Sequence, residues 1–191
     1  MVQAAVGGNV DSAVRSTLVA GELQTADERH PRADTPRDLL RSAVLGAVAG
    51  LRSVRPIALL AESLSRDGPD IADGGWAIDL LTSPQVALLL RLAALGELVA
   101  DKVPGTVDRV APLPLAGRVV LGGTTCALHS LAEGRASDVG ALVGSLGAVV
   151  GSVVGFSVRT RLSRARPVPG ILVALVEDGL AWSLGHWAIQ R

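Results

Sequence analysis

This chain of 191 residues has little of what soluble domains and common enzymes usually carry. Charged residues make up only 19% and cluster between long apolar runs, whereas soluble domains carry about 25%. A lone cysteine, Cys126, excludes an intrachain disulfide and is expected to be a buried thiol. The net charge is +0 and aromatic residues make up 2%, which argues against nucleic-acid binding. Tyrosine is absent, so only the tryptophans could form an interfacial aromatic belt: Trp76, Trp182 and Trp187.

Motifs of familiar active sites are also missing. The sequence contains no GxxxxGK[ST] phosphate loop, no HExxH, no GxSxG and no paired CxxC. Its three histidines are scattered and make no recognisable metal set. We therefore expect no cofactor and no metal, and an enzyme would have to build its site from charges inside the apolar segments.

The sequence does contain five apolar windows of about the length that crosses a membrane. About 20 apolar residues span about 30 Å of hydrocarbon as a helix. The windows are 39–63, 85–103, 113–132, 138–158 and 169–189. They predict an all-α integral membrane protein with about five transmembrane helices over residues 39–191. Residues 1–38 are predicted to be a flexible cytoplasmic tail, since 26–38 are charged and broken by proline.

The basic residues of the connections alternate between rich and poor. The tail and the connection 159–168 are rich in arginine, whereas 64–84 holds Arg66 alone. This pattern predicts a cytoplasmic N-terminus and an external C-terminus. Only Lys102 is a lysine, and alanine, glycine and valine abound, which indicates a bacterial protein of the inner (plasma) membrane. The alternative, a soluble helical bundle, would not need the alternation.

Glycines in the fourth and first windows recur every three or four residues, which places them on one face of each helix. In lipid, such small residues let helices approach closely, so this glycine zipper predicts tight helix contacts, and we expect a homo-oligomer. A face lining a pore is the alternative. The glycines are Gly46, Gly50, Gly140, Gly144, Gly147, Gly151 and Gly155.

A short internal repeat suggests how the spans are arranged. Residues 45–50 read LGAVAG and residues 146–151 read LGAVVG. Each begins a two-helix unit whose second helix carries acidic residues. With the predicted topology, the two units run in opposite directions, so the sequence predicts a two-plus-one-plus-two inverted repeat, a common transporter plan.

Charged residues inside the windows are the candidate functional residues. Each acidic group at the centre of a membrane helix costs about 2.5–3.5 kcal/mol unless it finds a partner. Pro56 predicts that the first span breaks at Arg55. Two interpretations stay open: an ion-pair network that fixes helix register, or a polar cavity that conducts. The candidates are Arg52, Arg55, Glu97, Asp101, Lys102, Glu177 and Asp178.

Some of these residues also carry a resemblance to a known family. The matching segments are GLR at Gly50–Arg52, ExxxDKxP at Glu97–Pro104, PLAG at Pro114–Gly117, the glycine-rich fourth window, and ED at Glu177–Asp178. Over about residues 40–185 the chain resembles the bacterial membrane proteins of the domain-of-unknown-function family numbered 4126. It departs from that pattern after Arg52, where it has SVRP, and at Leu113, where the family has arginine. The resemblance implies a helical membrane domain and no established activity.

The preferred hypothesis from sequence is a small transporter or channel that moves an ion or small polar solute past Glu97, Glu177 and Asp178. One alternative is a membrane scaffold or assembly factor whose charges only lock the helices. A lipid-modifying enzyme is the third. The lipid bilayer is the expected partner in all three.

Overall fold

The computed structural model describes residues 31–71, 74–100, 112–165 and 170–190. Most of the predicted tail lies outside these ranges, as do the candidates Asp101 and Lys102. A compact unit begins at Ala33. Within the described ranges the chain is all-α, as predicted, and forms seven helices and no strand. They are α1 Pro36–Leu51, α2 Arg55–Asp67, α3 Gly75–Thr82, α4 Pro84–Ala100, α5 Pro112–Ala132, α6 Ser137–Ala165 and α7 Gly170–Ile189.

The first helix begins inside the segment assigned to the tail. Thr35 and Asp38 form a capping box: Thr35 Oγ1 accepts from Asp38 N at 3.3 Å, and Asp38 Oδ2 accepts from Thr35 N at 3.0 Å. This pair satisfies backbone donors at the start of a helix. Pro36 at the first position needs no hydrogen-bond partner for its nitrogen, so α1 begins there rather than at residue 39.

The window 39–63 is two helices rather than one span. α1 ends at Leu51 and α2 begins at Arg55, next to Pro56, where the sequence predicts a break. The start of α1 and the end of α2 both lie beside the end of α5. Asp34 pairs with Arg135 at 2.6 Å, and the backbone N–H of Asp70 donates to Ala132 O at 2.8 Å. One continuous helix would hold its ends about 37 Å apart. The chain therefore goes in along α1, turns at the break and returns along α2.

The last helix ends at the same end of the bundle. Arg41 Nε, near the start of α1, donates to Ala188 O in the last turn of α7 at 2.9 Å. We call this end, which holds residues 34–41, 66–70, 132–135 and 188–190, the near end. α6 starts there and is 29 residues long, so it carries Arg159 and Arg161 about 35 Å away, to the far end. The prediction that the first span starts and the last span ends on opposite sides is therefore wrong.

The two LGAV segments also run in the same direction. Gly46 lies against Gly144, and Gly50 lies against Ala148, so residue numbers rise together along α1 and α6. Parallel segments cannot be related as the opposed halves of an inverted repeat. The inverted-repeat prediction is wrong, because it depended on the first window being a complete crossing.

Close backbone contacts hold α1, α5 and α6 together at the predicted glycines. A Cβ at Gly147 or Gly151 would overlap the backbone of α1 at Ala43 or Ala47. A Cβ at Gly144 would lie 2.5 Å from the Cβ of Cys126 on α5, which is itself fully buried. On α6, Gly140 meets α5 and Gly155 meets the side chain of Leu51. These contacts join helices within one chain.

Apolar side chains cover much of the outside of the described helices. Leu88, Leu92, Leu142, Val150 and Leu175 are each more than half exposed. Soluble monomers rarely expose apolar patches beyond a few hundred Å². Among the described residues only Ser137–Leu162 is by itself long and apolar enough to cross a membrane, and 28% of that window is buried, unlike a soluble core helix. Gly75–Thr82 and Pro84–Val99 would make a second span if taken together, across a 77° bend.

Candidate functional site at the helix break

The break between α1 and α2 is capped by Glu97 from α4. Val54, at the N-cap position of α2, has no side-chain oxygen to accept the first backbone donors. Glu97 supplies both acceptors: Oε1 lies 2.7 Å from Ser53 N, and Oε2 lies 3.0 Å from Val54 N. The negative carboxylate also faces the positive end of the α2 dipole.

On the other side of the break, the backbone carbonyl of Gly50 also has hydrogen-bond partners. Gly50 O accepts from Arg118 Nη1 of α5 at 2.8 Å and from Ser152 Oγ of α6 at 3.1 Å. Arg118 and Ser152 are both buried. Buried backbone carbonyls need hydrogen-bond partners of this kind. The sequence singled out Glu97 but not Arg118, which lies near the start of its helix.

Arg52 and Asp178 form an ion pair at the same level of the bundle. Arg52 Nη2 contacts Asp178 Oδ1, and the two side chains are only 5% and 20% exposed. Because it leaves the helical conformation just after Leu51, Arg52 turns toward α7. One arginine at the break is thus in contact with an acid of α7.

Glu177 has different surroundings from its neighbour Asp178. It lines a cavity of about 320 Å³ between α6 and α7, where a Cβ on Gly155 would lie 3.9 Å from its Oε1. The walls are mainly leucine and valine, with Arg159 the other charged residue. Its lining extends from Leu51, the last residue of α1, to Arg159 and Leu162 on the part of α6 toward the far end. Adjacent helical residues point about 100° apart, which is why one acid pairs with Arg52 and the other faces a cavity.

A second, polar cavity reaches the break from the near end. About 370 Å³ lies between α2, α4 and α7, lined by Arg55, Glu62, Arg91, Trp182 and His186 among others. An adjoining cavity of about 500 Å³ shares Glu62 and His186 with it and extends to Gln190. Together they form what we call the near-end cleft. It leads from the near end to Arg55, the first residue of α2.

A cluster of charges at the near end was not predicted. Glu133 accepts from Arg41 Nη1 at 3.3 Å and from Arg135 Nη2 at 2.7 Å, and His129 Nε2 lies 3.7 Å away. Arg135 is fully buried and also contacts Asp34. Glu133 and Arg135 lie in the short connection between α5 and α6, whereas His129 lies within α5 and Arg41 within α1, which is distant in sequence, so the pairing left no pattern in the sequence.

Burial and neighbouring partners act in opposite directions on the pKa values of Glu133 and Arg135. Burial by itself would raise the pKa of Glu133, but His129, Arg135 and Arg41 together hold that pKa below its ordinary value. Burial by itself would lower the pKa of Arg135, and the hydrogen bonds to Glu133 and Asp34 raise it instead. Glu133 and Arg135 therefore favour their ionised forms, and Arg41 links this cluster to Ala188 of α7.

The structure thus brings together three of the predicted residues, Arg52, Glu97 and Asp178, around one break. Arg55 and Glu177 lie on either side of it, in separate cavities. No three His, Cys, Asp or Glu side chains of the described ranges converge as a metal site would require.

Comparison with known proteins found no matching family model, no matching curated protein and no matching solved structure. The resemblance to the family numbered 4126 therefore stays a prediction. The predicted homo-oligomer also stays a prediction, since the glycine contacts described above are used within one chain.

Proposed function

We propose that this chain is a small membrane transporter or channel whose path passes the helix break. In this proposal α4–α7 cross the bilayer, and α1 with α2 forms a re-entrant pair that enters and leaves at the near end. Support comes from the distribution of side chains: leucine and valine face outward, whereas Arg41, Arg52 and Arg118 are buried. Ionisable groups inside a membrane usually face the interior of the bundle and mark a pathway.

The observation that carries the proposal is that two cavities approach the break from opposite ends. The near-end cleft reaches Arg55, and the cavity between α6 and α7 reaches Leu51. Between them stand the Arg52–Asp178 pair and the Glu97 cap. Broken helices near the middle of the membrane, with cavities on both sides, are the usual binding and gating points of transporters.

The ion pair and the cap would then be the barrier that a solute must pass. Each contact is made by a charged side chain from another helix, so it can open without unfolding α1 or α2. Glu97 is held by two backbone donors and Asp178 by one arginine. A scaffold could use apolar packing at this level and would need neither the break nor the cavities.

Orientation in the membrane is also proposed. The far end carries Arg159, Arg161 and Arg164 in the last turns of α6 and Arg166 just after it in the sequence, which favours the cytoplasm for that end. Residues 33–41 then lie on the external side, the reverse of the sequence-based orientation. A cytoplasmic start of α1 and a cytoplasmic 159–168 connection cannot both hold, because the two lie at opposite ends of the bundle.

Flux into proteoliposomes tests the proposed function. The purified full chain is reconstituted, and uptake is measured for chloride, sodium, potassium, protons and acetate. We expect flux of at least one of these, and we expect Glu97→Gln and Asp178→Asn to change its rate at least fivefold. Asp79→Asn, on an exposed position of α3, is the matched control. No flux for any species, or equal flux in all variants, would contradict the proposal.

A membrane scaffold remains the second candidate, favoured by the tight glycine contacts and the near-end charge cluster. It predicts no flux but a loss of stability in the same variants. Because the proposed transporter also predicts that loss of stability, only the proteoliposome assay separates the two.

A further inference from the structure

Arg55 occupies an unusual position at the inner end of the near-end cleft. It is the first residue of α2 and lies about 18 Å from the end of that helix, counted at 1.5 Å per residue. Its side chain is part-buried and lines the cavity of about 370 Å³. Within the described ranges it makes no hydrogen bond or ion pair. The other arginines of this region are engaged: Arg66 and Arg91 both contact Glu62.

The lining of this cavity therefore has a surplus of one positive charge. Arg55 and Arg91 supply two positive charges, and Glu62 supplies one negative charge. Desolvated cations at membrane depth are expensive unless a counter-charge is present. A monovalent anion in the cavity would provide it, and the guanidinium fork of Arg55 suits a carboxylate or halide.

The backbone next to Arg55 already binds an anion. The N–H groups of Ser53 and Val54 hold both oxygens of the Glu97 carboxylate, at 2.7 and 3.0 Å. Half-helix N-termini are the sites where transporters bind anionic groups of their substrates. The Glu97 carboxylate already offsets the positive end of α2, so Arg55 and Arg91 supply the positive charge for a further anion in the cavity.

We infer that the near-end cleft binds a small monovalent anion, a halide or a short carboxylate, with Arg55 as its anchor. Arg91 contributes the second positive charge, and the stacked rings of Trp182 and His186, with centroids 5.4 Å apart, form one wall. The inference deepens the proposed function, since it names the substrate class of the same path. Binding itself does not require transport.

Quenching of Trp182 by iodide tests the inference directly. The full chain carries Trp76→Phe and Trp187→Phe, so that Trp182 is the only tryptophan. Sodium iodide is titrated into the purified protein in detergent, with the neutral quencher acrylamide as a check on accessibility. We expect iodide quenching to saturate and to be competed by chloride and by acetate, while acrylamide quenching rises without saturation.

Removal of the anchor gives the decisive comparison. Arg55→Gln should weaken iodide binding at least tenfold, and Arg91→Gln, whose side chain is 53% exposed, should weaken it less. Arg37→Gln makes the same charge change at an exposed position of α1 and should leave binding unchanged. If Arg55→Gln does not fold, Arg91→Gln and the competition by acetate in the parent protein still decide the outcome.

Unsaturable quenching in the parent protein would overturn the inference, as would equal binding by the parent, Arg55→Gln and Arg91→Gln. Saturable binding without flux in proteoliposomes would uphold the anion site and contradict the proposed transport. Flux of a cation without iodide binding would uphold transport and contradict the anion site.

Discussion

The carboxylate of Glu97 lies 2.7 Å from the backbone nitrogen of Ser53, although the two residues are 44 positions apart in the chain. A helix that ran through residues 52–54 would satisfy its own donors. Here α4 satisfies them instead, so the break and the position of α4 depend on each other. Removing the Glu97 carboxylate should therefore affect both the stability of the protein and the proposed solute path.

Glu97→Gln should destabilise the protein by about 1–3 kcal/mol, because the amide keeps one acceptor oxygen but turns an NH₂ donor toward a backbone donor. Thermal unfolding of the purified variant in detergent measures this. Asp79→Asn, a carboxylate-to-amide change at an exposed site, should leave the midpoint unchanged. An unchanged midpoint for Glu97→Gln would show that the cap is dispensable.

Adjacent acids on α7 should respond differently to neutralisation. Asp178→Asn removes the carboxylate that contacts Arg52, and breaking a buried pair costs about 3–5 kcal/mol. Glu177→Gln keeps the Arg52–Asp178 contact, so we expect it to cost less than Asp178→Asn.

A double-mutant cycle completes that comparison. Asp178→Asn combined with Arg52→Gln should recover part of the lost stability, and this coupling should exceed that of Glu177→Gln with Arg52→Gln, because Arg52 and Asp178 are in direct contact. Equal losses for the two single acid variants would contradict the assignment of Asp178 as the partner of Arg52.

The sequence predicted the helical class, the break and the close helix contacts at the glycines, because each depends on local chemistry. Pro56 restricts the backbone before it, and the spacing of Gly144, Gly147 and Gly151 follows from the helical period. These features do not depend on where the rest of the chain goes.

The direction of the chain after the break could not be predicted in the same way. Hydropathy gives the length of an apolar window but not whether the chain continues or turns back. The return of α2 is fixed by contacts distant in sequence, such as the Asp70 N–H with Ala132 O. The contact of Arg118 with Gly50 O was missed for the same reason, since only a broken helix leaves that carbonyl to be satisfied.

Gly151→Leu should prevent stable folding, because a side chain at this position would overlap the backbone of Ala47 on α1. Gly179→Leu on α7 is the matched control, since a Cβ there would meet nothing within 4 Å among the described residues. Yield and size-exclusion profile after detergent extraction measure the outcome. Similar yields for both variants would show that the contact between α1 and α6 can adjust.

Single cysteines at exposed positions test the re-entrant arrangement. Arg37→Cys on α1 and Arg66→Cys on α2 should react from the same side of the membrane in intact cells, and Arg161→Cys should react only from the other side. We expect the first two to be external. Cys126 is buried and should contribute no background. Labelling of positions 37 and 66 from opposite sides would restore the original five-span topology.

Acid should weaken the near-end cluster through Glu133. Its pKa in the folded protein lies below the ordinary value of 4.5, so folding favours the ionised carboxylate. The stabilisation is therefore complete above about pH 4.5 and is lost as the pH falls through the lower, folded value. The groups that face Glu133 are His129, Arg41 and Arg135, with Asp34 on the far side of Arg135.

Unfolding midpoints in detergent between pH 7 and pH 3 measure this contribution. At pH 7 the Glu133→Gln variant should be less stable than the parent, because Arg135 is then buried with one carboxylate fewer. The difference should shrink below pH 4.5, where the parent protein also loses the charge. Asp138→Asn, an exposed carboxylate nearby, should follow the parent at every pH. A difference that stayed constant down to pH 3 would mean that Glu133 stabilises the cluster through packing rather than through its charge.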